Sequence, residues 1–217
     1  MSHSDPAQVV IVDDNPVMRM GLTHLIGTAA DFEVCGEASS SSEAIGLVES
    51  LERVDLVIVD LSLPDRNGLE LIKDLRTIRE GVKCLAISSH DENVYAERVL
   101  RAGGRGYIMK NQASDLLIEA IRKVLAGGYF ASVEVTQKLV ASLSGGNSTG
   151  RVANLSDREL EVYRAIGEGN GSREIAGALG ISIRTVDAHR THIKEKLGLP
   201  DATALTHHAI CWVESQS

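Results

Sequence analysis

Three acidic side chains stand where apolar runs stop. Val9-Val10-Ile11-Val12 leads directly into Asp13 and Asp14, and Leu56-Val57-Ile58-Val59 leads directly into Asp60. Continuous apolar, β-branched runs of this length read as strands covered on both faces. If the two strands lie parallel and adjacent, their ends share one edge and three carboxylates meet in one crevice. Charges that close repel, and one carboxyl has a raised pKa unless a cation joins them. Mg²⁺ suits the purpose, because it binds one or two carboxylates together with waters and phosphate oxygens. It would also neutralise an incoming phosphoryl group and leave a carboxylate to attack phosphorus. Any one of these aspartates alone is better explained as a helix cap, with Asp14 or Asn15 before Pro16 as the example. Both clusters at one edge favour the metal site. Ser88 ends the run Cys84-Leu85-Ala86-Ile87, and Lys110 follows three residues after Tyr107. A hydroxyl and an ammonium at the same edge supply donors for phosphoryl oxygens.

These groups need a scaffold that brings strand ends together. Phe32-Glu33-Val34-Cys35 and Gly106-Tyr107-Ile108-Met109 are two further, weaker strand candidates. Helical periodicity lies between the strands, at 16–27, 43–52, 68–79, 92–102 and 114–126. Five strand-then-helix units predict an α/β fold, a doubly wound five-stranded parallel sheet of order 2-1-3-4-5. Its reactive crevice lies at the carboxyl ends of the central strands. A short helical stretch at 132–142 precedes Ser144-Gly145-Gly146-Asn147-Ser148-Thr149-Gly150, whose small polar residues predict a flexible linker. From 155 onward no strand pattern survives, and four helices fit at 156–167, 172–179, 183–197 and 202–213. The expected organisation is therefore an α/β domain over 1–130, a linker with a short helix over 131–152, and a small all-α domain over 153–217.

The acidic pair in Val12-Asp13-Asp14, the segment Asp60-Leu61-Ser62-Leu63-Pro64-Asp65-Arg66-Asn67-Gly68, and Ser88, Tyr107 and Lys110 together resemble the receiver domains of two-component response regulators. The resemblance covers 7–127. It implies that Asp60 accepts a phosphoryl group from a sensor histidine kinase while Asp13, Asp14 and Asp60 hold Mg²⁺. Ser88 corresponds to the switch hydroxyl, Tyr107 to the switch aromatic and Lys110 to the active-site lysine. Ser62 and His90, flanking the site, would tune how long the phosphate survives. Such a receiver promotes only its own phosphorylation and dephosphorylation and is no enzyme toward external substrates. Asn111 stands where many receivers have proline, and Gly103-Gly104 replaces an alanine-containing approach to the last strand. Phosphoryl-Asp60 would attract the Ser88 hydroxyl, and Tyr107 would turn into the vacated space and reshape the 92–110 face. Tyr107 reads equally well as an ordinary half-buried aromatic.

In the last third, Ser156 and Glu159 are spaced as a capping box at a helix start. The short helical run Glu174–Leu179, the turn residue Gly180 and the cap Ser182 form a helix-turn-helix pattern. On the second helix Val186, Ile193 and Leu197 share one stripe, which exposes a face suited to phosphate contacts and the major groove. A solvated charged face is the bland alternative, which the glycine turn and the capped geometry outweigh. Leu155-Ser156-x-Arg158-Glu159, Glu174-Ile175-Ala176, Leu179-Gly180-Ile181-Ser182, Thr185-Val186, His189 and Ile193-x-x-Lys196-Leu197 resemble the four-helix LuxR-type output domain of the NarL/FixJ class. The resemblance covers 153–213. It implies a recognition helix at 183–197, whose DNA-facing set is Arg184, Thr185, Val186, Asp187, His189, Arg190 and Lys194. It further implies a dimerisation helix at 202–213, binding to double-stranded DNA, and a homodimer formed on phosphorylation or on DNA. Asp187 departs from the basic residue usual after Thr-Val, and Gly171-Ser172 departs from the commoner Ser-Asn pair. An acid at 187 repels phosphate but can accept a hydrogen bond from cytosine.

Bulk composition agrees with this division. The 217 residues carry a net charge of −8, and residues 1–130 hold 13 basic against 20 acidic side chains. Residues 151–217 are nearly balanced, with 8 against 9. No stretch approaches the roughly 18 uncharged apolar residues of a membrane span, and no signal-peptide pattern opens the chain, so a cytoplasmic location is expected. The cysteines Cys35, Cys84 and Cys211 are scattered and read as reduced, mostly buried thiols. An aspartate-based phosphatase is a competing reading, but no second acid/base carboxylate stands two residues after Asp60, where Ser62 is found. A phosphorylation-independent interaction module with weak DNA binding is the other, kept alive by Asp187 and the low basicity.

Overall fold

The structure, a computed structural model, describes residues 5–132, 135–137 and 151–215. The chain divides between 141 and 142 into two compact units. The first unit alternates β1 (Ala7–Val12), α1 (Pro16–Gly27), β2 (Phe32–Ala38), α2 (Ser41–Ser50), β3 (Leu56–Asp60), α3 (Gly68–Ile78), β4 (Lys83–Ser88), α4 (Glu92–Ala102), β5 (Gly106–Met109) and α5 (Ala113–Leu125). The strands form one sheet of order β2-β1-β3-β4-β5, and every pairing is parallel. The predicted α/β topology is the observed one. Every residue of β3 is buried, as are Val9–Val12 in β1 and Cys84–Ser88 in β4. Helices covering both faces leave a central parallel strand no polar side, which is why these runs are apolar without alternation.

Local signals set most helix ends. Asn15 caps α1, accepting from Val17 N at 2.9 Å, with Pro16 in the first turn. Gly103 ends α4 at φ 101°, a left-handed conformation that favours glycine. Helix α2 begins two residues before the predicted 43. Ser40 caps it from inside, and the distant Asp65 carboxylate accepts from both Ser41 N and Ser42 N at 2.9 Å. Of the predicted 132–142 helix, 135–137 are helical, while 133–134, 138–142 and the predicted 144–150 linker lie outside the described residues. Cys84 is buried, with burial pushing its thiol up to about 12. Cys35 is half-buried, and Cys211, against expectation, is exposed.

The second unit holds α6 (Asp157–Gly167), α7 (Ser172–Ala178), α8 (Ile183–Leu197) and α9 (Ala202–Glu214). Leu160, Tyr163, Ile175, Val186, Ile193, Leu197 and Leu205 are among its buried side chains. Among the described residues no helix is long and apolar enough to cross a membrane.

Candidate functional site

Register brings the acidic residues together. Val12 pairs with Val59 in the parallel β1–β3 ladder, so Asp13 and Asp60 follow at the same edge. One oxygen from each of Asp13, Asp14 and Asp60 can be chosen so that all lie within 4.8 Å of one another. Asp13 and Asp60 are buried and Asp14 is exposed. Lys110, immediately after β5, places Nζ 2.7 Å from Asp13 Oδ2 and 2.8 Å from Asp60 Oδ2. Asp60 Oδ1 accepts from Ser62 N at 3.1 Å, and Asp13 Oδ1 accepts from Asn15 N at 2.9 Å. Asp13 Oδ2 is fully enclosed, yet its Lys110 contact is off the hydrogen-bonding direction, so this oxygen has no directed donor.

The balance of charge follows from burial. Desolvation raises the Asp60 carboxyl above its ordinary value, against the opposing pull of Lys110 and Ser62 N–H, and Asp13 adds repulsion. Lys110 is itself desolvated, but the two carboxylates outweigh that and hold its ammonium above the usual lysine value. Attack on a phosphoryl donor needs a reachable carboxylate, whereas Asp60 is only 1% exposed. Lys110 Nζ lies 2.8 Å from Oδ2, and the Lys110 side chain is itself 20% exposed.

Ser88 and Tyr107 meet on the neighbouring strands. Ser88 is fully buried, and its Oγ accepts from His90 N at 3.2 Å. Tyr107 is 1% exposed and donates its hydroxyl to His90 O at 2.6 Å. Of the two readings of Tyr107 from sequence, a switch aromatic or a half-buried ring, the structure shows a ring that is almost fully buried. Burial pushes its phenol well above the usual range, which keeps it a neutral donor. Ser62 Oγ and His90 Nε2 lie 3.1 Å apart at the rim, and the His90 ring stacks at a tilt on Tyr95 with centroids 4.7 Å apart. Two supporting residues carried no assigned role in the sequence. Asp65 ties the loop after β3 to α2. Gly68 passes so close to Asp60 that an added Cβ would press on the Asp60 carbonyl oxygen and stand 2.8 Å from Leu61 Cα.

In the second unit, Gly180 turns the chain at φ 63° between α7 and α8, and Ser182 caps α8 by accepting from Thr185 N at 3.1 Å. Arg184, Thr185 and Asp187 are exposed, and His189, Arg190 and Lys194 are half-buried. Val186 is fully buried and is removed from the predicted DNA-facing set: its β-branched side chain points into the helix-packing stripe. Lys196 is exposed and bonded to Glu159 Oε2 at 2.6 Å. Asp187 does not stand alone either, since Ser172 Oγ donates to its Oδ1 at 2.9 Å. Ile183, 43% exposed in the first turn of α8, is an apolar group the charge-based reading passed over.

Comparison with known proteins places both units. The response regulator receiver domain family matches residues 9–122, and the luxR family of bacterial regulatory proteins matches 153–209. The nitrate/nitrite response regulator protein NarL of Escherichia coli (strain K12) is 33% identical, covering 100% of this chain and 99% of its own. The oxygen regulatory protein NreC of Staphylococcus carnosus (strain TM300) is 35% identical over 94% of this chain and 96% of its own. Among solved structures, RcsB of Salmonella enterica serovar Typhimurium, bound to promoter P1flhDC in the presence of phosphomimetic BeF3-, aligns with a TM-score of 0.68 at 26% identity. That alignment covers 94% of this chain and 98% of RcsB. The chain belongs to the NarL/FixJ family of response regulators, in which phosphorylation regulates transcription through a receiver domain and a LuxR-type helix-turn-helix DNA-binding domain.

Proposed function

We propose that Asp60 takes the phosphoryl group from a sensor histidine kinase and that its phosphorylation controls homodimerisation and binding of α8 to double-stranded DNA in the cytoplasm. The observation that carries this reading is the convergence of Asp13, Asp60 and Lys110 at one sheet edge, with Nζ within 2.8 Å of both carboxylates. Mg²⁺ fits the donor set: all oxygen, two buried carboxylates and one exposed, with an enclosed Asp13 oxygen lacking a directed donor. Asp13, Asp14 and Asp60 would hold the ion, which when bound supplies positive charge to the incoming phosphoryl oxygens.

The side chains divide the remaining work. One Asp60 oxygen attacks phosphorus as the P–N bond of the donor phosphohistidine breaks. Lys110 leaves Asp60 Oδ2 and takes a phosphoryl oxygen, and Ser88 turns its hydroxyl to another. That turn withdraws the acceptor now used by His90 N, and His90 O is the group that holds Tyr107. Ser62 and His90 cover the rim where water would approach, which gives them control of phosphate lifetime. On DNA, Arg190 and Lys194 contact phosphates, while Arg184, Thr185, Asp187 and His189 face base edges. Ile183 fits a thymine methyl.

The test incubates the protein with acetyl phosphate and Mg²⁺, beside Asp60→Asn, and follows retention of genomic fragments. Acid-labile phosphate on wild type only, together with tighter retention, supports the proposal. No uptake by wild type rejects the receiver chemistry, and DNA binding indifferent to phosphorylation would favour the interaction-module reading.

A further inference from the structure

We infer that the receiver has a second binding site, for a nucleoside phosphate, at the edge of the sheet opposite Asp60. Of the thirteen described lysines and arginines in this acidic unit, nine are engaged by a carboxylate, another partner or an aromatic ring. Arg19, Arg53, Arg66, Arg101, Lys110 and Arg122 are each ion-paired with a carboxylate. Lys73 and Arg98 have partners too, and Lys123 lies over the Phe130 ring. The four that remain, Arg76, Arg79, Lys83 and Arg105, line one cavity of about 590 Å³. Lys83 opens β4 and Arg105 immediately precedes β5, so the cavity lies at the starting ends of strands whose other ends carry Ser88 and Met109.

Arg79 spends its guanidinium on the carbonyls of Leu51 and Glu52, at 2.5 and 3.4 Å. Arg76, Lys83 and Arg105 have no ion-pair partner among the described residues, and one carboxylate, Glu80, shares their cavity. Twenty acidic side chains in residues 1–130 could have neutralised them, as they neutralise cations elsewhere in the unit. Three like charges gathered around a concavity repel one another until an anion enters. Two guanidinium forks and an ammonium match phosphate oxygens. Tyr129 supplies a different recognition element: it is 54% exposed, with Arg105 against its ring at 4.8 Å, and its exposed surface suits a planar base. The volume falls within the roughly 300–1,000 Å³ typical of small-molecule sites.

The location gives the ligand something to influence. Phe130, next to Tyr129, donates its N–H to Arg105 O and accepts from Tyr107 N, both at 2.9 Å. Ser132 N then bonds to Glu92 Oε1 of α4 at 2.8 Å. An occupant touching Arg105 and Tyr129 is therefore two backbone hydrogen bonds from Tyr107 and one further residue pair from the first turn of α4. Any effect of the ligand on phosphorylation equilibria must be matched by an effect of phosphorylation on ligand affinity.

The experiment titrates the full chain, without Mg²⁺ and at low salt, with ATP, pyrophosphate and adenosine in a calorimeter. Saturable binding of ATP, weaker saturable binding of pyrophosphate and no binding of adenosine is the expected pattern. Lys83→Gln with Arg105→Gln should weaken ATP by about tenfold or more, the equivalent of roughly 1.4 kcal/mol. Tyr129→Ala should weaken ATP more than pyrophosphate, and Glu80→Gln should tighten both. Thermal melts and acetyl phosphate uptake confirm that each variant is folded, and Lys83→Gln alone replaces the double variant if that one is not. Absence of saturation by about 10 mM ATP, far weaker than the ~1 mM that corresponds to −4.1 kcal/mol, overturns the site. Saturation that is equal in the Lys83 and Arg105 variants overturns it as well.

Discussion

Burying Asp60 beside Asp13 raises its carboxyl above the ordinary value, because desolvation outweighs the Lys110 ammonium and the Ser62 N–H. The folded state therefore holds this proton more tightly than the unfolded chain. Ionised Asp60 opposes folding above its raised pKa, and that penalty is relieved as pH falls through it. Asp60→Asn, which keeps the shape and removes the charge, should stabilise the metal-free receiver at pH 7 by on the order of 1 kcal/mol. Thermal denaturation without Mg²⁺ measures this, and a lowered Tm would show that the Lys110 pair dominates instead. Asp187 sits in a comparable conflict on α8. One of its oxygens is engaged by Ser172 Oγ at 2.9 Å, yet the charge remains exposed on the predicted DNA face. Asp187→Asn should tighten non-specific binding severalfold and move base preference from cytosine toward adenine, readable in competition binding with substituted duplexes.

At the level of elements, two local junctions hold the sites in place. Gly68 begins α3 against the backbone of Asp60 and Leu61. Gly68→Ala forces that backbone aside and should cost about 1–3 kcal/mol, as overpacking does. Phosphate uptake from acetyl phosphate should slow alongside the stability loss, since Asp60 moves with its carbonyl. In the second unit Glu159 completes the α6 capping box, accepting from Ser156 N at 2.7 Å, and pairs with Lys196 of α8 at 2.6 Å. Burial alone would raise its carboxyl, but Lys196 and Ser156 outweigh burial and hold it below the ordinary value. The stability this contributes is complete above the usual glutamate pKa and is lost as pH falls through the lowered one. Glu159→Ala should destabilise the unit by about 1–2 kcal/mol, since it removes the capping-box acceptor and the partner of Lys196, whose exposed ammonium water then solvates. Urea titrations at neutral and acid pH should show the wild-type advantage shrinking in acid.

For the molecule as a whole, charge is distributed by task. The receiver carries the acid excess, and α8 offers few cations: with Lys196 committed to Glu159, Arg184, Arg190 and Lys194 remain for DNA. With Arg190 and Lys194 on phosphates, counterion release then predicts a shallow salt dependence, a slope of log K against log salt of roughly −1.8 for one recognition helix. A dimer on paired half-sites doubles it to roughly −3.6. Titrations across salt with phosphorylated and unphosphorylated protein distinguish the two regimes. A steep slope in both states would mean that surfaces other than α8 meet the DNA. Modest electrostatics is consistent with the proposed control through dimerisation, because one helix with three cations binds weakly alone.

Much of this protein is legible one residue at a time. The apolar runs that end in Asp13, Asp60 and Ser88, the strand and helix alternation, the Ser156–Glu159 spacing and the glycine turn before Ser182 are local patterns. Local rules of burial and capping translate them into elements and their order. Tertiary structure decided what depends on partners distant in sequence. Asp65 reaches back to α2 and advances its start, and Glu159 pairs with Lys196 across 37 residues. Asp13 and Asp60 share Lys110 only because parallel register aligns Val12 with Val59. The inward Tyr107, the buried Val186 and the gathering of unpaired cations around Tyr129 are likewise absent from any local pattern. Each is set by which side chains compete for the same space and the same charge once the chain has closed on itself.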